Sequence, residues 1–145
     1  MPASIFYSRL FSIVLLALHI SSATFFIRNV PRPVTSYNIF SLLTTTLFSG
    51  VAFSRSLHYS FYIWYFHTVP FLLRLAGLSI PLRFVVALVL EFAWNQWQSY
   101  KEHDEFNSCA TWWGSATMFV VHIFILGRLL YTIGVQRDKK DRVLG

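Results

Sequence analysis

A chain of 145 residues with 55% hydrophobic, 19% aromatic and 12% charged side chains has about half the charge expected of a soluble domain. Its mean hydropathy of +0.52 leaves more apolar surface than so short a chain can bury in one core, which excludes an ordinary water-soluble domain. The net charge of +6 does not indicate a nucleic-acid partner either. The basic residues stand singly between apolar runs, and the one cluster (Arg137, Lys139, Lys140, Arg142) is interleaved with Asp138 and Asp141.

In chain order, residues 1–7 carry no basic run, which argues against a cleaved signal peptide. The first apolar segment covers residues 10–27 and is closed by Arg28 and the Pro31-Arg32-Pro33 punctuation. A second covers 39–53, a third and strongly aromatic one 60–74, a fourth 81–98 behind Pro81, and a fifth 112–133. The charged stretch from Lys101 to Glu105 is a hydrophilic loop between the last two, and residues 134–145 form a basic tail. Each segment approaches the length of about 17–25 residues that crosses a bilayer, and only helices satisfy their own backbone there. The expected fold is therefore all-α: one polytopic transmembrane domain over residues 1–145, with about five spans. With the tail in the cytosol, eight Lys and Arg residues flank the spans on that side and three (Arg9, Arg55, Lys101) on the other. The turn after residue 53 is thereby expected on the non-cytosolic face.

Cys109 is the single cysteine, so neither an internal disulfide nor a cysteine-based zinc site can form. No metal-ligand constellation, nucleophile elbow or phosphate-binding glycine loop occurs, and no catalytic residue, metal or cofactor is assigned. His19 and His122, isolated within spans, are expected to be hydrogen-bonded packing residues. Arg55, His58, Tyr59 and Tyr62 share one helical face at i, i+3, i+4 and i+7, with Tyr65 and Phe66 a turn deeper. Pro70 removes the bond to the Phe66 carbonyl and should bend the helix. Two readings of this face stand side by side. An arginine fork backed by phenols can hold a phosphate, and Trp, Tyr and Arg also collect at membrane interfaces for purely physical reasons. Glu91, inside the fourth span, likewise fits either helix–helix pairing or substrate contact.

The run FSRSLHYSFYIWYFHTVPFLL at residues 53–73 resembles the signature of the dolichyl-phosphate-mannose-dependent alpha-1,3-mannosyltransferases of asparagine-linked glycosylation, approximately F-x-R-S-L-H-Y-Q-F-Y-x-W-Y-F-H-T-L-P-Y-L-L. Leu90-Glu91-Phe92-Ala93-Trp94-Asn95 resembles the family's E-x-x-W-N helix end, and Ser108-Cys109 its following loop; the best match covers residues 50–95. Ser60 stands where the family usually has Gln, Leu47 where it has Asn, and Gln96-Trp97-Gln98 where it has an aromatic-Pro pair.

The resemblance implies the C-terminal third of a multispanning (GT-C type) glycosyltransferase of the endoplasmic-reticulum membrane. Its partners would be dolichyl phosphate mannose, the five-mannose dolichyl-diphosphate oligosaccharide and membrane lipid, with no nucleic acid. Arg55, His58, Tyr59, Tyr62, Glu91 and Asn95 are the substrate-binding candidates it suggests. The implied chemistry is a single inverting displacement at the lumenal face, with an acidic base and cationic groups around the leaving phosphate. Nothing in residues 1–145 matches the family's base-bearing first lumenal loop, and Glu102, Asp104 and Glu105 read as a solvated loop. The expectation is a portion of the enzyme, inactive alone. The alternative is a noncatalytic membrane protein that binds a dolichyl lipid or a partner membrane helix.

Overall fold

A computed structural model describes residues 9–29, 35–54, 65–95, 97–102, 105–110 and 112–144. Among them are five helices: α1 (Arg9–Arg28), α2 (Ser36–Ala52), α3 (Val69–Leu75), α4 (Ile80–Asn95) and α5 (Trp112–Leu144). A two-stranded antiparallel hairpin, β1 (Trp97–Glu102) and β2 (Glu105–Ala110), stands between α4 and α5, in register from Trp97 opposite Ala110 to Glu102 opposite Glu105. The bundle itself is all-helical, as expected. The hairpin is an addition at the stretch whose charge marks it only as a hydrophilic loop. Two strands without a covering layer have little stability of their own, and no apolar alternation in the sequence announces them.

Helix ends follow from local chemistry. Asn29 stops α1: its backbone N–H reaches the Phe25 and Phe26 carbonyls at 3.2 Å, and its Nδ2 donates to the Phe25 carbonyl at 2.6 Å. Thr35 caps α2, its hydroxyl accepting from the Asn38 N–H at 3.3 Å. The third apolar segment is broken, not merely bent. After a helical turn at Tyr65 and Phe66 the chain tightens through His67 and Thr68, and α3 starts at Val69. Pro70 falls in the first turn of α3, where its missing N–H costs no hydrogen bond. The Tyr65 carbonyl, left at the break, accepts from the Thr68 N–H at 2.8 Å and from its hydroxyl at 2.7 Å.

At the other end of α3, Gly77 adopts φ 68° and closes a Schellman cap. The Gly77 N–H bonds the Arg74 carbonyl at 3.1 Å and the Leu78 N–H the Leu73 carbonyl at 3.5 Å. Leu73 and Leu78 are both buried beneath it. The fourth segment ends as a helix at Asn95, before the expected 98, and α5 runs on to Leu144 through the basic tail.

Each helix buries one stripe. On α5 the stripe is Met118, Val121, His122, Ile125, Leu126 and Leu129, the i, i+3, i+4, i+7 pattern of a packed face. On α4 it is Val86, Leu90, Ala93 and Trp94; on α2 it includes Thr45, Phe48, Ser49 and Ala52. The outward faces are apolar as well: Leu10, Leu16, Leu43, Phe84, Leu88, Phe92 and Val120 are all exposed. Several hydroxyl groups on these helices bond their own backbone, as Ser21 does to the Ala17 carbonyl at 2.7 Å and Thr45 to the Ser41 carbonyl at 2.7 Å. Two helices, Arg9–Arg28 and the Trp113–Val135 part of α5, are long and apolar enough to cross a membrane.

Gly77 is where this chain most needs glycine. Gly77→Ala should lower stability by about 1–2 kcal/mol, because an L side chain is strained in the left-handed region. Gly77→Asn should cost less. Thermal unfolding of detergent-solubilised protein followed by circular dichroism measures both.

Candidate functional site

The polar groups that the described structure draws together are buried in its interior. Tyr65, fully buried, shares its hydroxyl between two other buried residues. Trp94 Nε1 donates to the Tyr65 hydroxyl at 3.1 Å, and His122 Nε2 lies 2.9 Å from the same oxygen. His122 Nδ1 lies 2.6 Å from the Met118 carbonyl. A carbonyl only accepts, so Nδ1 carries the ring proton and Nε2 accepts the Tyr65 proton. A directed chain results, from the indole through the phenol and the imidazole to a backbone carbonyl. Phe48 from α2 stacks on His122 with centroids 5.3 Å apart and meets Tyr65 edge-on at 5.9 Å. One hydroxyl thus ties the end of the aromatic segment to α4 and α5, with α2 closing the side.

A second polar cluster joins α1 to α2. The Ser22 and Ser49 hydroxyls are hydrogen-bonded to each other, and His19 Nδ1 lies 3.3 Å from Ser49 Oγ. Gly50 makes that approach possible, since a Cβ there would stand 3.3 Å from His19 Cε1. His19 and His122 are both hydrogen-bonded within the packing, as their isolation in apolar sequence suggests. Beside His19 a groove of about 240 Å³ is lined by Ser12, Leu15, Leu16, His19, Gly50 and Phe53.

Arg55, His58, Tyr59 and Tyr62 lie outside the described residues. Glu91 and Asn95 are exposed on the last turns of α4. Asn95 Nδ2 donates to Glu91 Oε1 at 3.2 Å and to the Glu91 carbonyl at 2.9 Å. That pairing lies within one helix, on the end of α4 that Tyr65 and Trp94 fasten. Helical spacing also groups Tyr65 with Phe66, but the structure separates them: Tyr65 is in the core and Phe66 is 44% exposed. No spacing rule joins Tyr65 to His122, which are 57 residues apart. Among the described residues no group of three His, Cys, Asp or Glu could hold a metal ion.

The model of the family described as ALG3 protein matches residues 28–103, just over half of the chain. The chain belongs to this family. Known relatives agree. It is 34% identical over 89% of its length to the human protein named Dol-P-Man:Man(5)GlcNAc(2)-PP-Dol alpha-1,3-mannosyltransferase, and covers 32% of that protein. A probable Dol-P-Man:Man(5)GlcNAc(2)-PP-Dol alpha-1,3-mannosyltransferase of Dictyostelium discoideum is 33% identical over 79% of the chain, which covers 24% of it. The Scheffersomyces stipitis protein bearing the same name as the human one is 46% identical over 42% of the chain, which covers 13% of it. The chain therefore spans about a third, or less, of these relatives' lengths. No solved structure matches it. The ALG3 match takes in Tyr65, Glu91, Trp94 and Asn95 and stops short of α5, which supplies His122.

Tyr65→Phe keeps the ring and removes the oxygen that Trp94 and His122 share. It should destabilise the bundle by about 1–3 kcal/mol, the cost of leaving buried donors and acceptors short of a partner. Combined with His122→Ala, the loss should be clearly less than additive, because both changes cut one network. Chemical unfolding monitored by tryptophan fluorescence reads both effects.

Proposed function

We propose that this chain is the C-terminal, membrane-embedded part of a dolichyl-phosphate-mannose-dependent alpha-1,3-mannosyltransferase of the endoplasmic reticulum. In that role it acts in transfer of mannose from dolichyl phosphate mannose to the five-mannose dolichyl-diphosphate oligosaccharide. The observation that carries this reading is the 34% identity over 89% of the chain to a human protein of that name. The apolar outer faces support the membrane setting. Lipid contacts them without cost, whereas water would not.

Within this proposal the chain crosses the bilayer about five times with its basic tail in the cytosol. The 55–64 segment and the hairpin then share the lumenal side. Its flanking residues support that placement: Phe48, Tyr65 and Trp94 pack together where α2 and α4 end. Arg55 supplies a permanent charge to a leaving phosphate, with His58, Tyr59, Tyr62, Glu91 and Asn95 as further substrate-binding residues. The acidic base comes from elsewhere in the enzyme, so residues 1–145 alone do not transfer mannose. A second reading, a noncatalytic membrane protein that binds a dolichyl lipid or a partner helix, is favoured by one observation. The groove between α1 and α2 is apolar along most of its lining, with only Ser12 and His19 polar.

Complementation of cells that lack the alpha-1,3-mannosyltransferase separates the two. Residues 1–145 should leave the five-mannose lipid-linked species accumulated. An enzyme carrying this sequence as its C-terminal part should clear it, and its Arg55→Ala and Arg55→Lys forms should turn over about ten- to a hundred-fold more slowly. Failure of the extended enzyme to clear the intermediate would favour the noncatalytic reading. Topology has its own check: a glycosylation acceptor placed at Asn107 should be modified in the lumen, and cytosolic reactivity there would invert the arrangement.

A further inference from the structure

The turn between α3 and α4 gathers cations at the end of the bundle opposite the Tyr65 network. Gly77 brings α5 against this turn. A Cβ at Gly77 would stand 3.4 Å from Thr132 Oγ1 and 3.8 Å from Arg128 Nη2. Thr132 Oγ1 donates to the Ala76 carbonyl at 3.1 Å, and Arg83 Nε donates to the Leu78 carbonyl at 2.8 Å. Two guanidinium groups therefore flank two successive residues, 77 and 78, and Arg74 lies exposed in the last turn of α3.

Arg128 is the anomaly. Its Nε is buried and has no hydrogen-bond partner among the described residues. Its guanidinium carbon sits 5.6 Å from the centre of the Tyr131 ring, which holds it by cation–π attraction without supplying an acceptor. It lies seven residues before the end of the apolar stretch Trp113–Val135, about 10 Å along the helix axis. A cation at such a depth is costly unless an anion meets it. The described residues offer little choice of anion. Among the described side chains Glu91 is the sole carboxylate, eight residues beyond Arg83 and about 12 Å away along α4. Asp138 and Asp141 belong to turns of α5 that lie about 15 Å or more beyond Arg128.

We propose that Arg128 and Arg83, with Arg74 at the rim, hold the phosphate of an anionic membrane phospholipid. Arginine forks pair with phosphate oxygens through two parallel hydrogen bonds, and a basic pocket between helix ends is a recurrent headgroup site. The surroundings select a lipid over a free anion. Leu82, Phe84, Val85 and Leu88 of α4 are exposed beside Arg83 and offer an apolar face along which acyl chains can lie. The site rests on the membrane setting proposed above but is independent of mannosyl transfer, and it lies at the end of the bundle away from the transfer chemistry.

The test uses the whole 145-residue chain, exchanged in detergent with mixed phosphatidylcholine–phosphatidylglycerol vesicles and read by native mass spectrometry of retained lipid. Flotation with the vesicles reports membrane insertion separately, so a chain that fails to float refutes the membrane setting and not the site. Wild-type protein should retain phosphatidylglycerol about ten-fold over phosphatidylcholine. Arg128→Gln should reduce that retention about ten-fold, the loss of one charge-assisted contact. Arg128→Lys should fall between them, and Arg9→Gln, at the exposed start of α1, should change nothing. If Arg128→Gln proves poorly helical by circular dichroism, Arg83→Gln decides instead, since it removes the second fork and leaves the α5 core intact. Equal retention of the two lipids, or full retention in folded Arg128→Gln or, should that variant misfold, in Arg83→Gln, would overturn the proposal. Displacement of the lipid by millimolar inorganic phosphate would overturn a lipid headgroup as the ligand.

Discussion

The hydroxyl of Tyr65 is the joint on which the described bundle depends. It is reached from α4 by Trp94 and from α5 by His122, while the Tyr65 backbone carbonyl takes two bonds from Thr68 at the break before α3. In apolar surroundings each of these bonds has no water to compete with it and none to replace it, so the geometry is sharply defined. The same residue ends the stretch that begins at Arg55. Whatever that stretch binds, its C-terminal anchor is held by three helices and not by a loop.

Around this joint the interior and the outer faces are both largely apolar. Some polar groups in the interior pair across helices, as Ser22 does with Ser49, and the exposed faces of α1, α4 and α5 are rows of Leu, Val, Ile and Phe. Close helix approach is obtained with small residues at contact points, Gly50 against His19 and Gly134 against Phe25, which let the helices come near each other. The two ends then acquire different chemistry. One end has the Tyr65 joint, the Glu91–Asn95 pair and the hairpin; the other has the Gly77 turn with Arg74, Arg83 and Arg128.

Family membership and architecture bear on different parts of this chain. The residues matched by the ALG3 family run from the end of α1 into the hairpin, yet the Tyr65 network is closed by His122 on α5. Trp94 belongs to the helix end that also carries Glu91 and Asn95, so a packing residue and two candidate substrate contacts alternate within one turn. Their side chains diverge: Trp94 is buried, and Glu91 and Asn95 are exposed.

Composition and period alone determined the helical segments, their apolar character and the bias of basic residues between the two ends, because these follow from local backbone satisfaction and from counting. The 53–73 run was legible too, since a string of rare aromatic and histidine residues is specific whatever its fold. Tertiary structure decided the rest. It broke the third segment at His67 and Thr68, where Pro70 begins a new helix instead of bending an old one. It paired Trp97–Glu102 with Glu105–Ala110 as a hairpin, a strand pairing that no charge count foretells. It also turned Tyr65 inward to meet His122, and set Arg128 against Gly77, because hydrogen bonds and close contacts between distant helices depend on their packing and leave no trace in spacing along the chain.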